Sequence, residues 1–314
     1  MTLGTSPMNL AVAPEFTPRV LRNEMMSKHT SWRVGGPADI FFTPRDREDL
    51  AAFLRVLPAA TPVLWVGLGS NLLVRDGGIR GVVICTRGAF TRLERRARQR
   101  VYCESGVPCA RLTRQCGRWD LGQAEFFAGI PGTLGGALAM NAGAYGGETW
   151  TYVREVEVMA RDGTSRIRQA SDYQISYRHV NALQHPPAND EWFLAAELEF
   201  PPRDEAAAGA VRELAQRRKQ SQPLGEWSCG SVFTNPPGLF AAVLIETAGL
   251  KGFRLGGAMV SAKHANFIVN EGQATGRDLE ALIEHVRQTV QRVHGVLLVP
   301  EVRVAGERIA GGRR

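Results

Sequence analysis

Two glycine-rich loops are the first features of the sequence whose residue types suggest chemistry. Gly67-Leu68-Gly69-Ser70-Asn71 interrupts two short apolar runs, and Gly132-Thr133-Leu134-Gly135-Gly136 precedes the start of a short small-residue helix. Successive backbone N–H groups in such loops form a nest for an anion, and a helix N-terminus adds its dipole. Either loop alone also fits an ordinary tight turn. Together, in one β-rich region, they predict a ligand with two phosphates.

The glycine pattern excludes two common nucleotide-binding classes. Glycine accounts for 34 of 314 residues, about 11% against an average near 7%. No GxxxxGK[ST] motif is present, which excludes a P-loop NTPase, and Gly67–Leu72 departs from GxGxxG because its last position is Leu72. The loops therefore indicate a phosphate site outside the Rossmann class.

Charge and cysteine usage limit the possible partners. The net charge is +7, but the densest basic run, Arg92–Arg100, lies between apolar segments without interleaved aromatic residues. A solvated hairpin tip is the preferred interpretation, so we expect no nucleic-acid partner. Five cysteines without a CxxC pair predict free thiols in a reducing cytoplasm and no metal site. No apolar run approaches the roughly 20 residues of a membrane span, and no signal peptide is evident.

The elements that position these loops follow from periodicity and end signals. Thr275 and Asp278 resemble a capping box at the start of an amphipathic run closed by Gly295. Helices are predicted at Arg47–Val56, Cys109–Trp119, Glu205–Lys219, Leu239–Thr247 and Thr275–His294. Strands are predicted at Pro62–Val66, Leu72–Val74, Gly81–Cys85, Val101–Gly106, Val153–Ala160, Ser165–Arg168, Trp192–Phe200, Val296–Val299 and Val302–Val304. The pattern is β-rich up to the boundary at Pro201-Pro202 and mixed α+β beyond it.

Seven sequence blocks carry a family resemblance. They are HTSWRVGGPAD (His29–Asp39), GLGSNLLV (Gly67–Val74), GIPGTLGGALAMNAGAYGGE (Gly129–Glu148), SYR (Ser176–Arg178), CGSVFTNP (Cys229–Pro236), GGAMVSAKHANFIVN (Gly256–Asn270) and PEVR (Pro300–Arg303). In this order they resemble the UDP-N-acetylenolpyruvoylglucosamine reductase family over residues 20–306. The similarity is closest to the shorter branch, which lacks a tyrosine-bearing loop over the substrate.

The resemblance implies an α+β fold. It consists of an FAD-binding type 2 module, related to vanillyl-alcohol oxidase (PCMH-type), and a C-terminal α+β substrate-binding domain. The predicted boundaries are a flexible leader at 1–19, FAD-binding subdomains at 20–87 and 88–202, a substrate-binding domain at 203–306 and a flexible tail at 307–314. Because neither glycine loop contains histidine, FAD is expected to be non-covalent. A cytoplasmic monomer without membrane contact is expected.

The implied activity is the NADPH-dependent reduction of UDP-N-acetylglucosamine enolpyruvate to UDP-N-acetylmuramate. This oxidoreductase step belongs to peptidoglycan synthesis, and so to cell wall biogenesis, cell shape and cell division. A hydride passes through FAD to the vinyl carbon and leaves an enolate that must be stabilised and protonated. By resemblance, Arg178 and Glu301 stabilise the enolate, Ser231 donates the proton, and Glu301 also helps to organise that proton. Arg303, two residues beyond Glu301, is expected to pair with it.

The resemblance also assigns binding residues. The predicted FAD contacts are Val66, Gly67, Leu68, Gly69, Ser70, Asn71, Leu72, Gly129, Pro131, Gly132, Thr133, Gly135, Gly136, Ala137, Asn141 and Gly143. The predicted substrate contacts are Tyr177, Lys219, Asn235, Lys263, His264 and Asn266. Two alternatives stay open: another FAD-dependent oxidase of the same fold, and a non-enzymatic flavin or nucleotide-sugar sensor.

Overall fold

A computed structural model describes residues 12–183 and 191–309 of the chain. The first unit is a mixed four-stranded sheet in the order β1-β2-β5-β3. Its strands are β1 (Val20–Met25), β2 (Pro37–Phe42), β3 (Val63–Val66) and β5 (Ile79–Cys85). Helix α1 (Arg47–Val56) covers one face, and the Asp46 side chain caps it by accepting from the Asp49 N–H. The predicted helix is confirmed at both ends.

The second unit is an antiparallel five-stranded sheet in the order β11-β10-β14-β7-β6. Its strands are β6 (Leu93–Arg95), β7 (Arg100–Glu104), β10 (Val153–Ala160), β11 (Ser165–Gln169) and β14 (Glu191–Glu199). β6 and β7 pair as the predicted basic hairpin, with an exposed tip. Helices α2 (Cys109–Arg118) and α3 (Leu134–Ala139) pack onto this unit. Cys85, Cys103, Cys109, Cys116 and Cys229 are all free thiols, as predicted.

Two small hairpins extend from the second unit toward the glycine loops. They are β8 (Gly143–Ala144) with β9 (Gly147–Glu148), and β12 (Tyr173–Ser176) with β13 (His179–Ala182). Between β12 and β13 the turn has only two residues, Tyr177 and Arg178. Its tightness fixes where the Arg178 side chain begins.

The last unit contains helices α4 (Glu205–Ser221), α5 (Ala241–Thr247) and α6 (Gly276–His294). They accompany a three-stranded antiparallel sheet of β15 (Arg254–Leu255), β16 (Ala258–Val260) and β17 (Ile268–Asn270). The predicted capping box of Thr275 and Asp278 is confirmed, and Gly295 ends α6 in a left-handed conformation at φ +70°. The chain then returns to the first unit, where β18 (Arg303–Ala305) pairs in parallel with β4 (Leu72–Val74).

Short 3-10 helices complete the structure. Three predictions need correction: those for the leader, for the tail and for residues 296–299. The 3-10 helices are Pro14–Arg19, Met26–Lys28, Glu125–Gly129, Thr149–Tyr152 and Ala170–Asp172. In place of the flexible leader predicted over 1–19, Pro14–Arg19 is ordered and Phe16 is buried against Phe42 and Phe53. In the predicted tail 307–314, the Glu307 N–H donates to the Gly78 carbonyl, and Arg308 pairs with Glu280. Residues 1–11 and 310–314, which include the predicted tail at 311–314, lie outside the described residues.

The third correction concerns residues 296–299, which form no strand. They run beside residues 232–234, but the pairing amounts to one isolated bridge between Phe233 and Pro300. An apolar run alone cannot show whether a neighbouring strand is in register. Within the described residues, no helix combines the length and apolar character that crossing a membrane requires.

Candidate functional site

The two glycine loops lie against each other, as the two-phosphate interpretation requires. A Cβ on Gly67 would lie 2.5 Å from Thr133 Oγ1, and one on Gly132 would lie 3.2 Å from Ser70 Oγ. Gly69 has φ +63°, and a Cβ there would lie 1.9 Å from the His29 carbonyl oxygen. Glycine at position 67 therefore permits the contact between the loops, and glycine at position 69 permits the close approach to His29.

A cavity of about 450 Å³ opens beside this contact. Five predicted FAD residues line it, which are Val66, Gly67, Thr133, Gly135 and Gly136. Trp65 and Trp192 stack with ring centroids 5.0 Å apart and contribute apolar wall. Their planar surfaces and the backbone N–H groups of the loops suit a ligand with both rings and phosphates.

Two unpaired polar atoms test whether FAD fits this cavity. Ser105 Oγ and Trp65 Nε1 are buried without a partner among the described residues, and both residues line the cavity. Buried donors left unpaired are costly, so such atoms indicate a missing polar ligand. A Cβ on Gly136 would meet nothing within 4 Å, which leaves its backbone open to the cavity. The residues present fit FAD.

The other predicted FAD residues have varied surroundings. Leu68 lines a second cavity of about 380 Å³ that shares Gly67 with the first. Leu72 and Ala137 are buried in hydrophobic cores, and Pro131 is exposed and immediately precedes the second loop. These three are therefore placed to shape the loops through backbone position.

Arg178 and Glu301 form an ion pair across 123 positions of sequence, with 2.9 Å between Nε and Oε1. Arg178 is the second turn residue between β12 and β13 and has φ +58°, while Glu301 lies two residues before β18. Burial raises the pKa of the Glu301 carboxyl, and the charges of Arg178 and Arg218 oppose that rise. The pair thus combines a partly buried carboxyl, whose protonated form burial favours, with two cations that oppose this effect.

The Arg178 guanidinium is oriented by three acceptors. Besides Glu301, Nη1 donates to the Asn141 carbonyl at 3.3 Å and Nη2 to the Gly143 carbonyl at 3.0 Å. A guanidinium has five N–H groups, so these bonds leave two for a further acceptor. Gly143, which is also a predicted FAD contact, therefore helps to orient this side chain.

Ser231 lies at the end of a segment that runs beside Glu301. The Glu301 N–H donates to the Val232 carbonyl at 2.8 Å, and the Thr234 N–H donates to the Val299 carbonyl at 3.0 Å. Ser231 is partly exposed and follows Gly230, whose φ is +84°. The fold therefore brings Ser231 next to the backbone that carries Glu301.

Cys229 is the one thiol in this region. It is buried, and burial, with a smaller effect of the Glu301 charge, raises the pKa of its thiol well above the usual range. A thiol that stays protonated is a poor nucleophile. This supports a site that needs no cysteine.

Asn71 links the first glycine loop to the segment that carries Glu301 through hydrogen bonds. Its Nδ2 donates to the Glu301 carbonyl at 3.0 Å, and its own carbonyl accepts from the Arg303 N–H. The expected pairing of Arg303 with Glu301 is wrong, since Arg303 Nη2 donates to the Ala139 carbonyl and Arg303 lines the larger cavity. The i+2 argument fails because regular strand geometry begins only at Arg303.

The predicted substrate residues divide into two groups. Lys263 Nζ donates to the Lys219 carbonyl at 3.1 Å, which brings these two lysines together. His264 is half-buried, and burial followed by the Arg218 and Lys251 charges lowers the pKa of its imidazole. Its Nδ1 has no partner among the described residues. The two lysines form an exposed cationic region, and His264 adds an imidazole whose neutral form is favoured.

In the second group, the two asparagines are engaged in hydrogen bonds with the protein backbone. Asn266 is 4% exposed and uses both amide atoms on the Phe233 backbone, and Asn235 Oδ1 accepts from the Ala241 N–H at 3.0 Å. Tyr177 is 49% exposed, and its ring centroid lies 4.9 Å from the Arg178 guanidinium. The asparagines thus hold the loops that the substrate would contact.

Arg218 is a functional candidate that sequence reasoning missed. Its Nη1 donates to the carbonyl of Gly129, a predicted FAD residue, and its guanidinium lies 5.6 Å from the Tyr145 ring centroid. Its charge acts to lower the pKa of both Glu301 and His264. The sequence showed only a cation at a helix end, a position that the helix dipole already explains.

Comparisons with known proteins agree over nearly the whole chain. Residues 222–305 match the model of the UDP-N-acetylenolpyruvoylglucosamine reductase C-terminal domain, and residues 38–167 match an FAD-binding domain. The UDP-N-acetylenolpyruvoylglucosamine reductase of Alkalilimnicola ehrlichii is 56% identical over 95% of this chain and 99% of its own. That of Methylococcus capsulatus is 54% identical over 91% and 93%. The solved UDP-N-acetylenolpyruvylglucosamine reductase of Thermus caldophilus is 33% identical, with a TM-score of 0.78 over 91% of this chain and 98% of its own.

Proposed function

The chain belongs to the UDP-N-acetylenolpyruvoylglucosamine reductase family, and from that premise we propose that Arg178, Ser231 and Glu301 form its reaction site. The enzyme reduces UDP-N-acetylenolpyruvoylglucosamine in peptidoglycan synthesis, with FAD as cofactor and NADPH as co-substrate. When bound, FAD relays a hydride from NADPH to the vinyl carbon of the substrate. The observation that carries the site assignment is the Arg178–Glu301 pair, tied through Asn71 to the first glycine loop.

Arg178 stabilises the enolate. Hydride addition places negative charge next to the substrate carboxylate, and the two free N–H groups of Arg178 match such an acceptor. Three bonds fix its orientation before substrate arrives, so little reorganisation is needed as the charge develops. Lysine at this position would keep the charge but lose the planar pair of N–H donors that can bind both oxygens of a carboxylate.

Ser231 donates the proton to the enolate carbon. A hydroxyl is a weak acid in water, but the enolate is strongly basic, and hydrogen-bond reach is the chief requirement. Glu301 lies on the adjacent backbone and organises this proton. Since its pKa is raised by burial, the carboxyl keeps its own proton to a higher pH than an exposed glutamate does.

The exposed cationic region receives the diphosphate of the nucleotide sugar. Lys219 and Lys263 are exposed and adjacent, and Arg218 donates to the Gly129 carbonyl while its charge acts on His264. Lysine ammonium groups bind phosphate as point charges, while arginine adds a planar fork. Tyr177 lies over Arg178 at the exposed side and contacts the sugar.

Several broader assignments accompany this proposal. The enzyme works as a cytoplasmic monomer and uses neither a membrane nor a nucleic-acid partner. Residues 20–202 bind FAD non-covalently, and residues 203–306 bind the nucleotide sugar.

One experiment tests the proposed function directly. The purified protein is examined for its flavin spectrum, and NADPH oxidation is followed with and without UDP-N-acetylglucosamine enolpyruvate. We expect bound FAD that is released on denaturation, and substrate-dependent NADPH oxidation. Fast oxidation by oxygen alone, with flavin retained after denaturation, would favour an oxidase of the same fold. Flavin binding without any turnover would favour a sensor.

A further inference from the structure

We infer that Asn141 is a positioning residue for Arg178, rather than the FAD contact that the sequence predicts. The inference rests on the proposed role of Arg178 and names what holds it in place. Asn141 lies two residues beyond α3 in a left-handed conformation, at φ +44°, and is only 1% exposed. It is absent from the residues that line the larger cavity.

Every polar atom of the Asn141 amide is engaged by protein. Its Oδ1 accepts from the Trp150 N–H at 3.1 Å, and its Nδ2 donates to Glu148 Oε2 at 2.9 Å and to the Ser176 carbonyl at 3.2 Å. An amide offers two N–H donors, so none remains for FAD. A buried, fully satisfied amide of this kind fixes the geometry of the segments that it joins.

Asn141 contacts both the backbone just before Arg178 and the Arg178 guanidinium. Ser176 is the last residue of β12, immediately before the two-residue turn that carries Arg178. The backbone carbonyl of Asn141 also accepts from Arg178 Nη1 at 3.3 Å. One residue therefore holds both the start of the turn and the guanidinium at its far end.

This arrangement couples the second glycine loop to the reaction site. Helix α3, whose N-cap residue Thr133 lies against Gly67, ends at Ala139, two residues before Asn141. A shift of the turn by about 1 Å is enough to lower the rate of a positioned reaction by up to ~10²-fold. Asn141 therefore acts on the substrate step through Arg178, while FAD binding depends on the loops.

A swap of donor and acceptor separates the two Nδ2 bonds. In Asn141→Asp combined with Glu148→Gln, the amide introduced at position 148 can donate to the carboxylate introduced at position 141, which restores the first bond with reversed direction. The bond to the Ser176 carbonyl is lost, because a carboxylate has no donor. We expect normal folding and FAD content, and NADPH-dependent flavin reduction within about 2-fold of wild type. Reoxidation by the enolpyruvyl substrate should slow by at least ~10-fold.

Three further measurements keep the inference falsifiable if the double variant is unstable. Hydrogen exchange should show faster exchange of the amides of residues 176–179 in Asn141→Asp, with no change in the glycine loops. Glu148→Gln alone retains the Ser176 bond and should reoxidise at the wild-type rate. Asn141→Asp alone should recover part of its reoxidation rate at acidic pH, where the introduced carboxyl is protonated and can donate again.

Arg178→Ala, measured in parallel, separates a failure at Asn141 from a failure at Arg178. If Arg178→Ala slows reoxidation but the double variant reoxidises at the wild-type rate, the positioning role of Asn141 is overturned. If Arg178→Ala itself has no effect, the proposed role of Arg178 fails first. Loss of FAD from a folded double variant would indicate that Asn141 contributes to FAD binding and would contradict the inference.

Discussion

Arg75–Glu280 and Arg178–Glu301 both join a residue of the FAD-binding part to one of the C-terminal part, but their geometry differs. Arg75 binds Glu280 through two bonds, of 3.0 Å from Nε and 2.9 Å from Nη2. Arg178 binds Glu301 through Nε alone. A two-bond pair satisfies both carboxylate oxygens, whereas the single-bond pair leaves donors and an acceptor for another molecule.

The two carboxyls also differ in pKa. The Arg75 hydrogen bonds, helped by Arg308, lower the pKa of Glu280 to about 2, despite partial burial. At Glu301, deeper burial outweighs the opposing effect of the Arg178 charge and hydrogen bond, so the pKa of this carboxyl is raised. A carboxylate locked in its charged form suits a structural clamp between β4 and α6. A carboxyl that retains its proton more readily suits a site where protons move.

The first prediction concerns Ser231, the proton donor proposed beside the Arg178–Glu301 pair. Ser231→Ala should lower turnover by at least ~10²-fold, because the enolate loses its proton donor. Flavin reduction by NADPH should survive, and stopped-flow absorbance of the flavin measures it separately. Equal loss of both half-reactions would contradict the proton-donor assignment. Ser165→Ala, at an exposed serine of β11 outside the cavities, is the matched control and should leave both rates unchanged.

The second prediction is a smaller effect at Glu301. Glu301→Gln keeps the size of the side chain but cannot ionise, so reoxidation by substrate should slow by roughly 10-fold. The wild-type rate of this step should change around a pKa above the usual glutamate range, and the variant should lose that inflection. A pH profile that is identical in both proteins would show that Glu301 does not titrate in the reaction.

The third prediction concerns stability and leaves turnover unchanged. Because the pKa of Glu280 is lower in the folded state, its stabilisation is present above about pH 4.5 and is lost as the pH falls toward 2. Glu280→Gln should therefore lower the free energy of unfolding by roughly 1–2 kcal/mol at pH 7, allowing for solvent screening. Denaturant titrations at pH 7 and pH 3 measure this difference. A variant equally destabilised at both values would contradict the ionic explanation.

Local signals explain what the sequence predicted correctly. The helix at Arg47–Val56 and the capping box at Thr275 depend on residues within a turn or two, and both are confirmed. The contact between the glycine loops followed from their shared preference for a diphosphate. The proposed catalytic residues came from resemblance, since no spacing rule links Arg178 to a carboxyl 123 positions away.

Long-range packing explains what the sequence missed. The pairing of Arg303 with Glu301 assumed strand alternation that begins only at Arg303. Arg218 and Asn141 look like a helix-end cation and a loop amide until the fold brings Gly129 and Ser176 to them. Phe16 is likewise one apolar residue in a weak pattern, and only its packing against Phe42 and Phe53 shows that the segment is ordered.

The most direct test of the contrast between the two ion pairs measures both half-reactions in Arg178→Ala and Arg75→Ala by stopped-flow flavin absorbance. We expect Arg178→Ala to be reduced by NADPH at a rate within about 3-fold of wild type, and to be reoxidised by substrate at least ~10²-fold more slowly. Arg75→Ala should keep both rates and lose only stability. Wild-type reoxidation in Arg178→Ala, or an equal loss in both variants, would contradict the assignment of one pair to catalysis and the other to structure.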